Sequence, residues 1–211
     1  MSLEVYDYRN ESDIRNLLVT PQIRARFARM EPGEEASYHS HDLGQEIFLV
    51  LQGRALFTID GEERELGPGQ LCVALVDQIH KVGAVGDEAM VMYLSVTPHM
   101  QPTHTGRSET GERRPPSFSP SSAYNVETDL TIPMESLIDR HLEASEAAGE
   151  AAQSSATIQR QESVRLKDAL ASGDQEAASR ARVAMSVAHD RTMRSLYDMA
   201  GIWNELAGRP D

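Results

Sequence analysis

Between residues 20 and 97, apolar and polar positions tend to alternate, and turn signals break the pattern at intervals of roughly ten residues. Segment 22–30 places Ile23, Ala25 and Phe27 on alternate positions and runs into Pro32-Gly33, a turn. Segments 46–51 and 56–59 read as strands. The first ends at Gly53 and the second at Asp60-Gly61, a dipeptide that favours a tight hairpin. Gly67-Pro68-Gly69 is the next turn, 71–76 is a continuous apolar run of strand length, and 90–96 supplies a last strand. Short strands with no helical period between them predict an all-β sandwich or barrel.

Beyond residue 97 the pattern changes twice. Residues 98–130 are rich in Pro, Ser, Thr and Gly and keep neither period, which predicts a linker or a strap along the surface. Residues 131–211 are rich in alanine. Pro133 stands where a helix would begin. Leu137, Ile138, His141 and Leu142, then Ile158, Val164, Leu166 and Leu170, supply the apolar positions of a first helix. Ala181, Met185, Ala188, Thr192, Leu196, Met199, Trp203 and Leu206 repeat at 3–4 spacing in a second. Ser172-Gly173-Asp174 interrupts the pattern, with Gly as a C-terminal stop and Asp as the next N-cap. The division expected is therefore a β domain over 1–97, a strap over 98–130 and an antiparallel helical hairpin over 131–211. Two helices have little core of their own, so the stripe is expected to pack on the β domain or on a second copy, giving a homodimer or a larger homo-oligomer.

Charge narrows the partners. The 211 residues carry 33 Asp and Glu against 20 Lys and Arg, a net −13, whereas nucleic acid and anionic membranes call for a basic face. No apolar run approaches the roughly 20 residues needed to span a bilayer. The first residues carry acids where a secretory signal carries bases, so a cytoplasmic location is expected. The single cysteine, Cys72, excludes an intrachain disulfide and a multi-cysteine zinc site, and inside the run 71–76 it reads as a small core residue.

The chemistry lies near the start of the β region. His39 and His41 are two apart on an extended segment, so both side chains leave the same face. Asp42-Leu43-Gly44-Gln45 can turn the chain and bring in Glu46, and His80 follows a second strand pair. Three imidazoles and one carboxylate would hold one divalent first-row metal and leave about two coordination positions open.

This spacing resembles the first motif of the cupin superfamily at Gly33, His39, His41, Glu46 and Gly53. In the second motif Gly69 and His80 match, while Leu75, Asp77 and Ala84 stand where the family has proline, glycine and asparagine. The resemblance spans roughly residues 22–97 and does not reach the helical tail. It implies a jelly-roll β-barrel, so the fold class expected is mainly β, a cupin-type barrel followed by the helical hairpin. It also implies one divalent transition metal per chain (Fe, Mn, Ni, Cu, Co or Zn) and a small-molecule ligand or substrate. Family members include dioxygenases, isomerases, decarboxylases, cyclases and non-enzymatic binding proteins, and fold alone does not choose among them. A metal-dependent enzyme of dioxygenase type is placed first. A cupin isomerase or decarboxylase, a non-catalytic binding or sensing module, and a structural role are the alternatives.

Other residues are assigned around this centre. Glu46 is a metal ligand with a second reading as a catalytic general base. Phe48, Val50 and Val82 share parity with Glu46 and His80 and should line the same interior. Arg24, Arg26, Arg54 and Lys81 are the nearby cations. Arg26 and Lys81 are preferred for the substrate pocket, where a cation would favour a carboxylate-bearing ligand. His99 and His104 are read as solvated linker residues, with a second metal site or a cover over the pocket as the alternative.

Overall fold

The structure is a computed structural model and describes residues 3–209. The chain forms two compact units, which divide between Thr128 and Asp129. The first holds ten strands: β1 Asn16–Thr20, β2 Ile23–Met30, β3 His39–Ser40, β4 Gln45–Gln52, β5 Arg54–Ile59, β6 Glu62–Leu66, β7 Leu71–Ala74, β8 His80–Val85, β9 Met90–Thr97 and β10 Thr105–Gly106. They make two five-stranded sheets, ordered β1-β2-β9-β4-β7 and β10-β3-β8-β5-β6, with antiparallel pairing throughout. This is a jelly-roll arrangement, in which the chain crosses between the sheets at every step except the β1-β2 and β5-β6 hairpins and the two inner faces share one core.

Pairing register decides which side chains share that core. Across the first sheet Arg26, Leu94, Phe48 and Cys72 lie in one row, and Arg24, Val96, Glu46 and Ala74 lie in the next. Residues directly opposed in an antiparallel sheet point to the same face. The rows therefore carry Phe48, Leu94, Glu46 and both arginines to the inner side. The second sheet answers with Phe57, Val82 and Ala84, and the Phe48 and Phe57 rings meet at 5.1 Å between centroids. The turn after β5 has positive φ at both Asp60 (48°) and Gly61 (82°), the backbone that a tight hairpin matched to strand twist requires. Gly53, between β4 and β5, has φ +67°, and a Cβ there would stand 2.7 Å from the Ala89 carbonyl oxygen. Glycine is demanded twice over at that position.

The apolar run 71–76 forms an edge strand rather than a sealed one. Leu71 is 54% exposed and Val73 38%, because β7 closes one side of its sheet and turns one face outward. The barrel also continues past residue 97. The strap supplies β10, which pairs with β3 through Thr105↔Ser40 and Gly106↔His39.

The second unit is a pair of helices, α1 Met134–Ser172 and α2 Gln175–Ala207. Pro133 occupies the N-cap of α1, and Gly173 closes α1 in the left-handed conformation at φ 74°. The Asp174 carboxylate then accepts the backbone N–H of Ala177 at the start of α2. Gln159 Nε2 donates to the Met185 carbonyl and Thr192 Oγ1 to that of Ala151, so the helices run antiparallel and pack together. Leu137, Ala148, Ala181 and Ala188 are buried, and the small residues let the backbones approach. Ile138, Leu142, Val164 and Leu170 of α1 remain about half exposed. No helix among the described residues is long and apolar enough to cross a membrane.

Candidate metal centre

Four side chains from three strands and one turn converge where β3, β4 and β8 begin. His39 starts β3, His80 starts β8 directly opposite it, and Glu46 reaches across from β4 of the other sheet. His41 follows β3 on the turn toward β4. One donor atom from each of His39, His41, Glu46 and His80 lies within 4.8 Å of the others. His41, Glu46 and His80 are buried and His39 is partly open.

The backbone fixes the orientation of each ring. Nδ1 of His39 lies 2.9 Å from the Ser37 carbonyl oxygen, Nδ1 of His41 lies 2.6 Å from that of Thr103, and Nδ1 of His80 lies 2.9 Å from that of Gln78. A carbonyl oxygen only accepts, so each Nδ1 carries the proton. The three Nε2 atoms are left facing Glu46 Oε2, at 3.7 Å for His39, 2.8 Å for His41 and 3.1 Å for His80. Three imidazole lone pairs and a carboxylate aimed at one buried point repel one another unless positive charge sits among them. Protons on Nε2 can supply it, and so can a divalent ion. The carbonyl contacts are the outer partners that metal-bound imidazoles use to hold tautomer and ring plane. The donor set fits one first-row divalent metal.

Electrostatics agree. Burial by itself pushes the Glu46 carboxyl up, yet hydrogen bonds from His39, His41 and His80, when their Nε2 atoms carry protons, outweigh it and hold the group well below the usual carboxylate range. A carboxylate so firmly ionised is suited to ligation and is a weak proton acceptor.

The remaining residues picked out from the sequence take different positions. Phe48 forms part of the floor, its ring 5.8 Å from that of His80. Val50 and Val82 lie in the sealed core and are 0% and 4% exposed. Arg26 points inward on β2, with Nε shut off from water and without a partner. Lys81 is drawn the other way: its Nζ pairs with Glu35 at 2.8 Å and lies over the Tyr38 ring, because residue 81 has the opposite parity to His80. Cys72 is half-buried and its thiol is pushed up to about 12 by burial and by the charge of Glu46, which leaves it inert at neutral pH.

The strap histidines are not solvated. His99 is 2% exposed, bonded through Nδ1 to Thr103 Oγ1 at 2.8 Å and packed edge-on to Tyr124. The His104 ring lies 4.9 Å from that of His39 and 5.0 Å from that of His41. Burial pushes His99 down to about 4 and, with the charge of Arg24, holds His104 well below the usual histidine range. Composition marks the strap as polar and irregular, but β10 and the His41–Thr103 bond draw it onto the barrel. A pocket of about 290 Å³ lies between strap residues 98–103 and the turn at 42–44, with His41 in its wall.

The sequence places Arg24 only among the nearby cations, whereas the structure sets it against the centre. It is 5% exposed, its Nη2 lies 3.3 Å from His104 Nε2, its guanidinium stands over the Tyr124 ring, and its Nε lacks a partner. Its parity with Arg26 on β2 was a usable signal, and the two-strand distance to Glu46 was not.

The chain is similar to known proteins over its β region. A family model described as Cupin domain matches residues 26–97. A curated protein named polyketide synthase CurC, from Streptomyces cyaneus, is 31% identical over 103 residues, which are 46% of this chain and 67% of that protein. Among solved structures, an uncharacterized conserved protein with a double-stranded beta-helix domain from Klebsiella pneumoniae subsp. pneumoniae MGH 78578 is 21% identical, with 46% of this chain and 91% of that one covered at a TM-score of 0.43. KdgF from Halomonas sp. is 26% identical, with 42% and 79% covered at a TM-score of 0.38.

Proposed function

We propose that this chain, which belongs to the cupin superfamily, is a metal-dependent enzyme acting on a small organic molecule at His39, His41, Glu46 and His80. The observation that carries this reading is the convergence of three imidazole Nε2 atoms on Glu46 Oε2, with every Nδ1 held by a backbone carbonyl. A divalent ion bound there would act as a Lewis acid on a substrate enol, hydroxyl or carboxylate oxygen and, if redox-active, would allow oxygen insertion. We place dioxygenase-type oxidoreduction first and isomerisation or decarboxylation after it. The protein's own part is positioning. Ser37, Thr103 and Gln78 hold the rings, Glu46 supplies the single negative ligand, and Phe48 and Phe57 keep water from beneath the site. The curated relative carries the name polyketide synthase, which favours a small carbonyl-rich substrate over a macromolecule.

The test is elemental analysis of the wild type beside the His39→Ala/His41→Ala double variant, followed by oxygen-uptake assays with candidate enols and hydroxy acids. Near one redox-active metal per chain, lost in the variant, supports the reading. No metal in either protein after reconstitution removes it. The burial of three of the four ligands favours a second reading, a non-catalytic metal-dependent binding module. That reading predicts ligand binding with no consumption of ligand or oxygen.

A further inference from the structure

The charge around the centre is unbalanced in one direction. Arg24 and Arg26 both face the inner side of β2, and both have an Nε shielded from water without a partner. Arg24 is 5% exposed. Arg26 is partly buried, two residues from Arg24 on the same face, and two guanidiniums so placed, each with a buried Nε, are unfavourable unless an anion compensates them. Glu46 is the acid whose field reaches both, and it is committed to the three imidazoles. Arg24 sits in the same cross-sheet row as Glu46, two strands away, which puts their Cα atoms about 10 Å apart. Most of that distance lies within the reach of an arginine side chain. His104 ties the two groups together. It accepts from Arg24 Nη2 at 3.3 Å while its ring stands about 5 Å from those of His39 and His41. With a divalent ion on a ligand set that contributes one negative charge, and with two guanidiniums beside it, the centre and its neighbours would carry three net positive charges.

We infer that Arg24 and Arg26 form a carboxylate-binding subsite, so that the molecule taken at this centre is a small hydroxy- or oxo-carboxylic acid. Its carboxylate lies on the guanidiniums and its second oxygen is directed at the metal. This rests on the metal-centre reading and narrows its substrate to an anionic class. The guanidinium fork is the group that receives a carboxylate through parallel N–H donors. The free Nε atoms are donors that water does not reach and that no residue satisfies. His104 is a positioning residue, since its Nε2 fixes one arm of Arg24 and leaves the remaining donors to the ligand.

The experiment uses calorimetric titration of the full chain, loaded with zinc so that no redox turnover intrudes. The probes are hydroxy acids from glycolate to 4-hydroxybutyrate, each beside its neutral amide. The expected result is that at least one acid binds about tenfold or more tightly than its amide. Arg24→Gln and Arg26→Gln should each remove most of that preference while zinc content stays at the wild-type level. Equal affinities for acid and amide throughout, or no binding by any acid, would overturn the inference without any variant having to fold. So would an acid preference that survives in both variants. An acid preference in protein that takes up no zinc, lost in the variants, would keep the subsite and remove the metal reading. Zinc uptake with no acid preference would do the reverse.

Discussion

His99 makes the barrel sensitive to acid in a calculable way. Its imidazole is buried against Tyr124 and bonded to Thr103, and burial, with the charges of Arg24 and His41, lowers its pKa from 6.5 to about 4. The folded state therefore resists a proton that the unfolded chain accepts. Stability is complete above pH 6.5, falls as pH drops through the window from 6.5 to about 4, and stops falling below it. At pH 5 the unfolded histidine is nearly all protonated and the folded one about a tenth, a loss of about 2 kcal/mol relative to pH 8. The limiting loss below pH 4 is about 3 kcal/mol. His99→Asn keeps a polar atom near the Nδ1 position for Thr103 but cannot titrate. Urea unfolding of both proteins at pH 8 and pH 5, with chelator present, isolates the effect, because His104 and Glu46 titrate in both. Near-ultraviolet circular dichroism suits the assay, since Tyr93 and Tyr124 belong to the barrel. The wild type should lose about 2 kcal/mol more than the variant between the two pH values. Equal losses would refute the assignment of His99 as a buried neutral imidazole.

Three further outcomes are expected. Phe57→Ala should lower barrel stability by about 3–5 kcal/mol, seen as a reduced urea midpoint, because the ring is 2% exposed and packed on Phe48. His80→Ala should strip most of the metal, measured by elemental analysis, and leave the strand signal in circular dichroism intact, since the core beneath is built from apolar residues. Light scattering should show the full chain as a dimer or larger, and truncation before residue 131 should reduce that mass or make the barrel aggregate. An unchanged monomer in both cases would remove assembly from the role of the helices.

The strands with clear alternation and strong turns were legible in the sequence, and those lacking them were not. Segments 22–30, 46–51, 56–59 and 90–96 correspond to β2, β4, β5 and β9. β6 carries Glu62, Glu63 and Glu65 and shows little apolar content, because most of its residues are exposed on an edge strand. β3 and β10 are two residues each and owe their existence to pairing partners far away in the chain. The helical hairpin was legible down to its punctuation, since Pro133, Gly173 and Asp174 act on their immediate neighbours.

The same division holds for the centre. The four donors were legible in the sequence, because alternate positions on a strand share a face and because the spacing of Gly33, His39, His41, Glu46 and Gly53, with Gly69 and His80 further on, resembles the cupin motifs. The sequence also determined that Phe48 and Val82 point inward, by parity. The three-dimensional fold alone settles that Ser37, Thr103 and Gln78 hold the rings, that the strap buries His99 and brings His104 against His39 and His41, and that Arg24 joins Arg26 beside Glu46 while Lys81 turns to Glu35. Local rules act over a few residues, along one strand or one turn. The partners of this centre come from two sheets and a polar strap, and their distances depend on strand order and register, which close the barrel.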